Sequence, residues 1–322
     1  RPLKFHPILK QTLWGGERII PYKELASGLS RVGESWELSG MPGSESVVAE
    51  GPWAGSTLSE LIGRFGAELL GKANYARFGQ EFPLLVKFID AREDLSIQVH
   101  PDDELARKRH GKSGKCEMWY VLEAEPGASL LTGFSRPIAP AEYERRVADN
   151  TLTDVLNRQA IASGDVFYLP AGRVHSIGKG SFIVEIQQSS DITYRIYDFD
   201  RRDAAGNSRE LHTELAREAI DFESSENSRI TYAPENNQEV RLVTTPYFTT
   251  SLYTLTARTR CDWSATDSFV AIVLLQGSGS LTDNEGNRID VRQGETWLLP
   301  ASTQWTEITP HTAPLRLLTS RI

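Results

Sequence analysis

Short runs of alternating or β-branched residues recur along this chain, and Gly, Pro, Asp and Asn punctuate the gaps between them. Residues 84–89, 95–100, 118–122, 166–169, 182–187, 193–197, 240–243, 269–275 and 296–299 all read as strands. So many short strands with turn signals between them limit the chain to sandwich or barrel β-structure. Helical spacing is rarer. The stretch 57–70, "TLSELIGRFGAELL", opens on a Ser-Thr cap and places Leu58, Leu61, Ile62, Phe65 and Leu69 on one helix face. Residues 140–159 and 210–220 are expected to be helical as well. Residues 223–238 are polar and lack a pattern, and a domain boundary is expected there.

A length of 322 residues suits two domains. The net charge of −8 argues against nucleic acid as the main partner, because a phosphate backbone needs a basic face. It leaves room for one small anionic ligand held by a local cluster of cations. Cys116 and Cys261 are the only cysteines, so a reducing, cytoplasmic location is expected rather than a disulfide framework. No apolar run approaches a membrane span, and no secretory leader opens the chain, which starts at Arg1. No membrane partner is expected.

The chain also echoes itself. "SGDVFYLPAG" at 163–172 and "QGETWLLPAS" at 293–302 share a Gly, an acid, an aromatic and Leu-Pro-Ala in the same order. The first continues to His175, whereas the second continues to Trp305. Two copies of one β-unit, one with a ligand and one without, would account for this.

The chemistry gathers in the first copy. In "LSIQVHPDDE" the two-residue period puts Gln98 and His100 on the face opposite Ile97 and Val99. In "GKCEMWYVL" Lys115 and Glu117 share a face, and the strand then runs into an apolar core. His175 follows two tight turns that fix its strand. Gln98, His100, Glu117 and His175 make a mixed nitrogen and oxygen ligand set, suited to Zn²⁺, Mn²⁺, Fe²⁺ or Co²⁺ rather than Ca²⁺.

"GDVFYLPAGRVH" resembles the second motif of the cupin superfamily. "KFIDAREDLSIQVHPDDELA", "GKCEMWYVL" and "EIQQSSDITYRIYDFDR" resemble the type I mannose-6-phosphate isomerases in their short bacterial form. "LWGG", "GESWELSG" and "HTELAREAIDF" match the same family, so the likeness covers roughly residues 1–225. It implies two cupin-type β-barrel (jelly-roll) units, the second degenerate, plus a helical insertion. The expected division is a catalytic unit over 1–230 and a unit without metal ligands over 231–322. The resemblance further implies one zinc per chain on Gln98, His100, Glu117 and His175. The implied reaction interconverts mannose 6-phosphate and fructose 6-phosphate, with a phosphosugar as the small-molecule partner and a monomer or weak homo-oligomer as the assembly. Longer members carry His before the lysine matching Lys115 and Pro after it. Here Gly114 and Cys116 stand there, so a ring-opening role for that histidine does not transfer.

Aldose–ketose isomerisation needs an acid/base and positive charge at an enediolate oxygen. Lys87 is the one cation in the apolar run "PLLVKFID", and its burial is expected to lower its pKa. Glu185 alternates with Val184 and Ile186. Asp191 and Arg195 share a parity in "DITYRIY". Glu185 and Arg195 match family site positions, and Lys87, Lys115, Glu185, Asp191 and Arg195 are the expected catalytic set. Two other readings are an Fe²⁺ cupin dioxygenase and a non-catalytic sugar-binding cupin. Gln98 in place of a histidine speaks against the first. The joint presence of Lys87, Lys115, Glu185 and Arg195 speaks against the second.

Overall fold

The computed structural model describes residues 1–223 and 227–322. Mostly β, it holds four larger sheets. The first has seven strands, with Glu117–Ala124, Ser181–Gln188 and Leu84–Ala91 at its centre. A five-stranded sheet runs in the order Leu156–Ala160, Ser129–Phe134, His175–Ile177, Ile97–Val99 and Tyr194–Tyr197. Trp119, Phe167 and Ile183 of the first sheet pack with Leu130 and Ile177 of the second, so the two face each other as a sandwich. A six-stranded and a four-stranded sheet repeat this arrangement in the second half, around Ile272, Trp297 and Leu317 on one side and Leu281, Ile289 and Ile308 on the other. The sheets are open at their edges rather than closed into barrels.

Strand parity decides which wall each residue joins. On Leu84–Ala91, Val86 and Phe88 point to a core shared with Ala271, Val273 and Leu318 of the six-stranded sheet. Ile89 points into the sandwich interior, and Lys87 has its parity. On Ile97–Val99, Ile97 and Val99 pack outward on Ala106, Tyr143 and Ala216 of three helices, Asp103–His110, Pro140–Ala148 and Thr213–Ala219. The even-numbered Gln98 therefore faces inward.

Several expectations need correction. Residues 57–70 form two helices, Leu58–Phe65 and Ala67–Leu70, because Gly66 takes a φ of +50° that continues neither. The first is closed by a reciprocal cap between Thr57 and Glu60. Residues 140–159 are α-helical only over Pro140–Ala148, followed by a short 3₁₀ helix at Leu152–Val155. Asn150, at a φ of +55°, turns the chain, and Leu156–Ala160 is an edge strand. Within 210–220 only Thr213–Ala219 is helical. Of the linker expected at 223–238, residues 224–226 lie outside the described residues, and Arg229–Ile230 pairs with Val166–Leu169. At the other end of the chain, Leu3–Lys4 pairs with Thr296–Leu299 of the six-stranded sheet. Among the described residues, no helix is long and apolar enough to cross a membrane.

Candidate active site

The ligand-type residues come from both sheets of the first sandwich. His175 opens its strand opposite Gln98, and Glu117 opens a strand of the facing sheet. His100, Glu117 and His175 are buried, and their ligand atoms lie within 4.8 Å of one another. His100 Nδ1 donates to the Ile192 carbonyl and His175 Nδ1 to the Arg173 carbonyl, each at 2.8 Å. Both rings therefore turn Nε2 toward Glu117, at 3.4 Å from Oε2 and 3.1 Å from Oε1 respectively, and a neutral ring held this way presents a lone pair there.

Lone pairs facing a carboxylate repel unless a cation lies between them. Neither buried oxygen of Glu117 accepts a hydrogen bond. The nearby positive charge is the Lys115 ammonium, 3.0 Å from Glu117 Oε2 and 3.2 Å from His100 Nε2. Burial first, and Lys115 second, press the His100 pKa down to about 3, so its imidazole is neutral. Burial works against the charge on Glu117, but its neighbours, the Lys115 ammonium first among them, outweigh burial and hold the carboxyl well below its usual range. A neutral His100 and an ionised Glu117 are in the protonation states that a metal requires. Gln98 extends its amide nitrogen to 3.4 Å from His175 Nε2, and turning the amide over presents its oxygen instead. This donor set fits a divalent metal of the zinc, manganese, iron or cobalt type.

A cleft of about 370 Å³ opens beside this cluster, and Gln98 and Lys115 form part of its lining. Lys87, Glu185 and Arg195 line it too. Lys87 and Glu185 are cross-strand partners, with Nζ 3.2 Å from Oε1, and Glu34 lies 3.8 Å from the same ammonium. The expected lowering of the Lys87 pKa is reversed. Burial does pull it down, but Glu34 and Glu185 outweigh burial and raise it above its ordinary value. Trp119 joins the two clusters, since its indole N–H donates to Glu185 Oε2 at 2.9 Å and its ring meets His175 edge-on. Arg195 lies opposite Gln98 in the ladder. Its Nη1 donates to the Glu210 carbonyl at 2.9 Å, while its buried Nε has no partner. Burial, and then Arg209, press its pKa downward.

Asp191 stands apart from this group. It is half exposed, pairs with Lys112 at 2.9 Å and does not line the cleft. Its parity with Arg195 carries no meaning, because the strand begins only at Tyr194. Glu34 and Arg209 line the cleft without having been singled out. Glu34 had a signal in "GESWELSG", where it shares a parity with Trp36. Arg209 had none, sitting in an irregular stretch. Gly114 has a clear physical basis, since a Cβ there would lie 2.6 Å from Asp103 N and from the Asp102 carbonyl carbon. No side chain fits at that position.

Residues 3–131 match the family model described as phosphomannose isomerase type I, catalytic domain. The chain is 34% identical, over 93% of its own length and 93% of the relative's, to a probable mannose-6-phosphate isomerase of Bacillus subtilis. It is 33% identical to a mannose-6-phosphate isomerase of Streptococcus mutans, over 93% of this chain and 92% of that one. The crystal structure of the mannose 6-phosphate isomerase from Bacillus subtilis superposes with a TM-score of 0.89 at 30% identity, covering 100% of this chain and 99% of that one.

Proposed function

The chain belongs to the type I phosphomannose isomerases, and on that premise we propose that its cleft interconverts mannose 6-phosphate and fructose 6-phosphate. One observation carries this reading. A buried carboxylate without a hydrogen-bond donor, Glu117, faces two buried imidazoles beside a cleft lined by lysine, arginine and glutamate. We take zinc as the metal, one per chain, on Gln98, His100, Glu117 and His175. Bound there, it supplies Lewis-acid polarisation of a sugar oxygen next to the carbon that loses its proton.

The remaining work belongs to side chains. The proton moves between C1 and C2 through an enediolate. Glu185 is the carboxylate placed to take it, with Trp119 fixing one oxygen and Lys87 beside the other. Lys87, kept protonated by Glu34 and Glu185, balances negative charge rather than acting as a base. Arg195, beside Gln98 in the ladder, offers its planar fork to the enediolate oxygens. Arg209, tied to Asp198 by bonds of 2.8 and 2.6 Å, adds a second fixed guanidinium to the cleft. A phosphosugar dianion approaching a protein of net charge −8 needs such a local concentration of cations. In this reading residues 1–230 are the catalytic unit and residues 231–322 a partner that shapes and stabilises it, with Trp305 where the repeat would place a ligand. Both cysteines are free and buried, which suits a reducing compartment.

A coupled assay with mannose 6-phosphate, run with metal analysis, tests this proposal. Turnover should vanish on chelation and return with zinc. Absence of turnover in the zinc-loaded protein, or full activity of metal-free protein, sinks it.

A further inference from the structure

Tyr194–Tyr197 is the outer strand of the five-stranded sheet, so the backbone groups along one of its sides have no neighbouring strand. At Arg195 both outward groups are nonetheless bonded, and a single residue bonds them. The His212 N–H donates to the Arg195 carbonyl at 2.6 Å, and the Arg195 N–H donates to His212 Nδ1 at 3.1 Å. His212 thus stands in for one residue of an absent strand, with its side chain providing the acceptor that a backbone carbonyl would provide.

An imidazole accepts through Nδ1 only when that nitrogen is unprotonated, which puts the proton on Nε2. Glu210 lies on that side, with its Oε2 3.8 Å from His212 Nε2. The His212 ring also packs against Tyr194, whose hydroxyl is held by His110 at 2.8 Å. Two residues back, the Glu210 carbonyl accepts from Arg195 Nη1. The 210–212 segment therefore grips Arg195 by its backbone and by one end of its guanidinium.

We propose that His212 is a positioning residue, which sets where the Arg195 guanidinium stands in the cleft by capping both of its backbone groups. His212 does not itself line the cleft. The proposal rests on reading Arg195 as part of an isomerase site.

Asparagine is the informative replacement, because its Oδ1 can accept one bond near the Nδ1 position, whereas alanine accepts none. In His212→Ala, kcat/KM for mannose 6-phosphate should fall about 5- to 10-fold, the scale of one lost hydrogen bond, with zinc content unchanged. His212→Asn should stay within about twofold of the parent. With Arg195→Ala already present, His212→Ala should cost nothing further. An Asn variant as slow as the Ala variant, or an Ala variant that costs the same factor without Arg195, overturns the proposal.

The second readout does not depend on turnover. The Arg195 Nε–H is buried and should give a slowly exchanging nitrogen–proton NMR signal in the parent and in His212→Asn, broadened in His212→Ala. An unchanged signal in His212→Ala also overturns the proposal. If the signal behaves as expected in a chain that does not isomerise mannose 6-phosphate, the isomerase reading falls and the positioning role stands.

Discussion

Lys87 and Glu185 face each other on adjacent strands of the seven-stranded sheet, both buried, with ammonium and carboxylate 3.2 Å apart. The pair keeps a base and a positive charge side by side in one cleft, and Glu185 joins Glu34 in holding Lys87 in its charged form. Glu185→Gln keeps the shape and removes the base. It should lower kcat by about 10²–10⁴-fold, the usual contribution of a positioned base, and slow exchange of the C2 proton with solvent in parallel. Zinc content should not change. Near-normal exchange in this variant would remove Glu185 from proton transfer.

Lys115 and a divalent metal compete for the same donors, since its ammonium sits against both Glu117 and His100. Lys115→Met should therefore bind zinc at least as tightly as the parent while losing activity. Glu117→Gln should lose zinc affinity by more than the roughly 10- to 100-fold that supporting residues around a metal command. Competition titrations with a chromogenic chelator read both. A Lys115→Met variant that binds zinc more weakly would show that the lysine supports the metal rather than opposing it.

Arg195→Ala should leave fold and zinc content unchanged and lower kcat/KM by about 10²–10³-fold, the scale of one oxyanion donor. The substrate separates its possible roles. If the guanidinium serves the enediolate, the loss persists with free mannose, provided that sugar is turned over. If it holds phosphate, the loss nearly vanishes there.

Removing residues 231–322 strips one wall from the core that Phe88, Val184 and Ile186 share with Ala271, Val273 and Leu318. The remaining fragment should expose that apolar face and aggregate. Light scattering of the purified fragment tests this, and a monodisperse, active 1–230 fragment would refute it.

Burial pushes the Cys261 thiol up to about 11, and Cys116 upward as well. In the unfolded chain thiols ionise near pH 8.5. From about pH 9 the unfolded state has given up protons that the native state keeps, so stability falls as pH rises through this window. The slope is up to about 1.4 kcal/mol per pH unit for each thiol. Below about pH 8 both states hold these protons and the term is silent. Denaturant midpoints at pH 8, 9 and 10 should fall less steeply in Cys261→Ala. An identical slope in that variant would rule out the thiol as the cause.

Wherever strand parity applies, the sequence was a sound guide. Gln98 is on the inner face because Ile97 and Val99 must reach the helices behind them, and Lys87 is inside because Val86 and Phe88 fill the core between the halves. Parity failed at Asp191, which precedes the strand and follows no two-residue period. The charge state of Lys87 was not legible either. It depends on Glu34, which the register of Trp36 against Lys87 brings near from a distant part of the chain. Pairing register is a tertiary fact, and a one-residue slip would turn every one of these side chains to the opposite face. The grip of residues 210–212 on Arg195 was hidden for another reason. Helical spacing in "HTELAREAI" extends over the helix Thr213–Ala219 and carries no information on the contacts of the residues just before it.

The pairing of Leu3–Lys4 with Thr296–Leu299 joins two segments that are far apart in sequence. Leu3 and Phe5, both buried in the finished protein, stay exposed to water until that distant partner is in place. Closing a contact of such sequence separation is slow, because the entropy of the long loop is spent before the contact returns anything. Until that contact closes, each segment is a strand lacking this partner, and that interval is when the fold is most open to association with other chains.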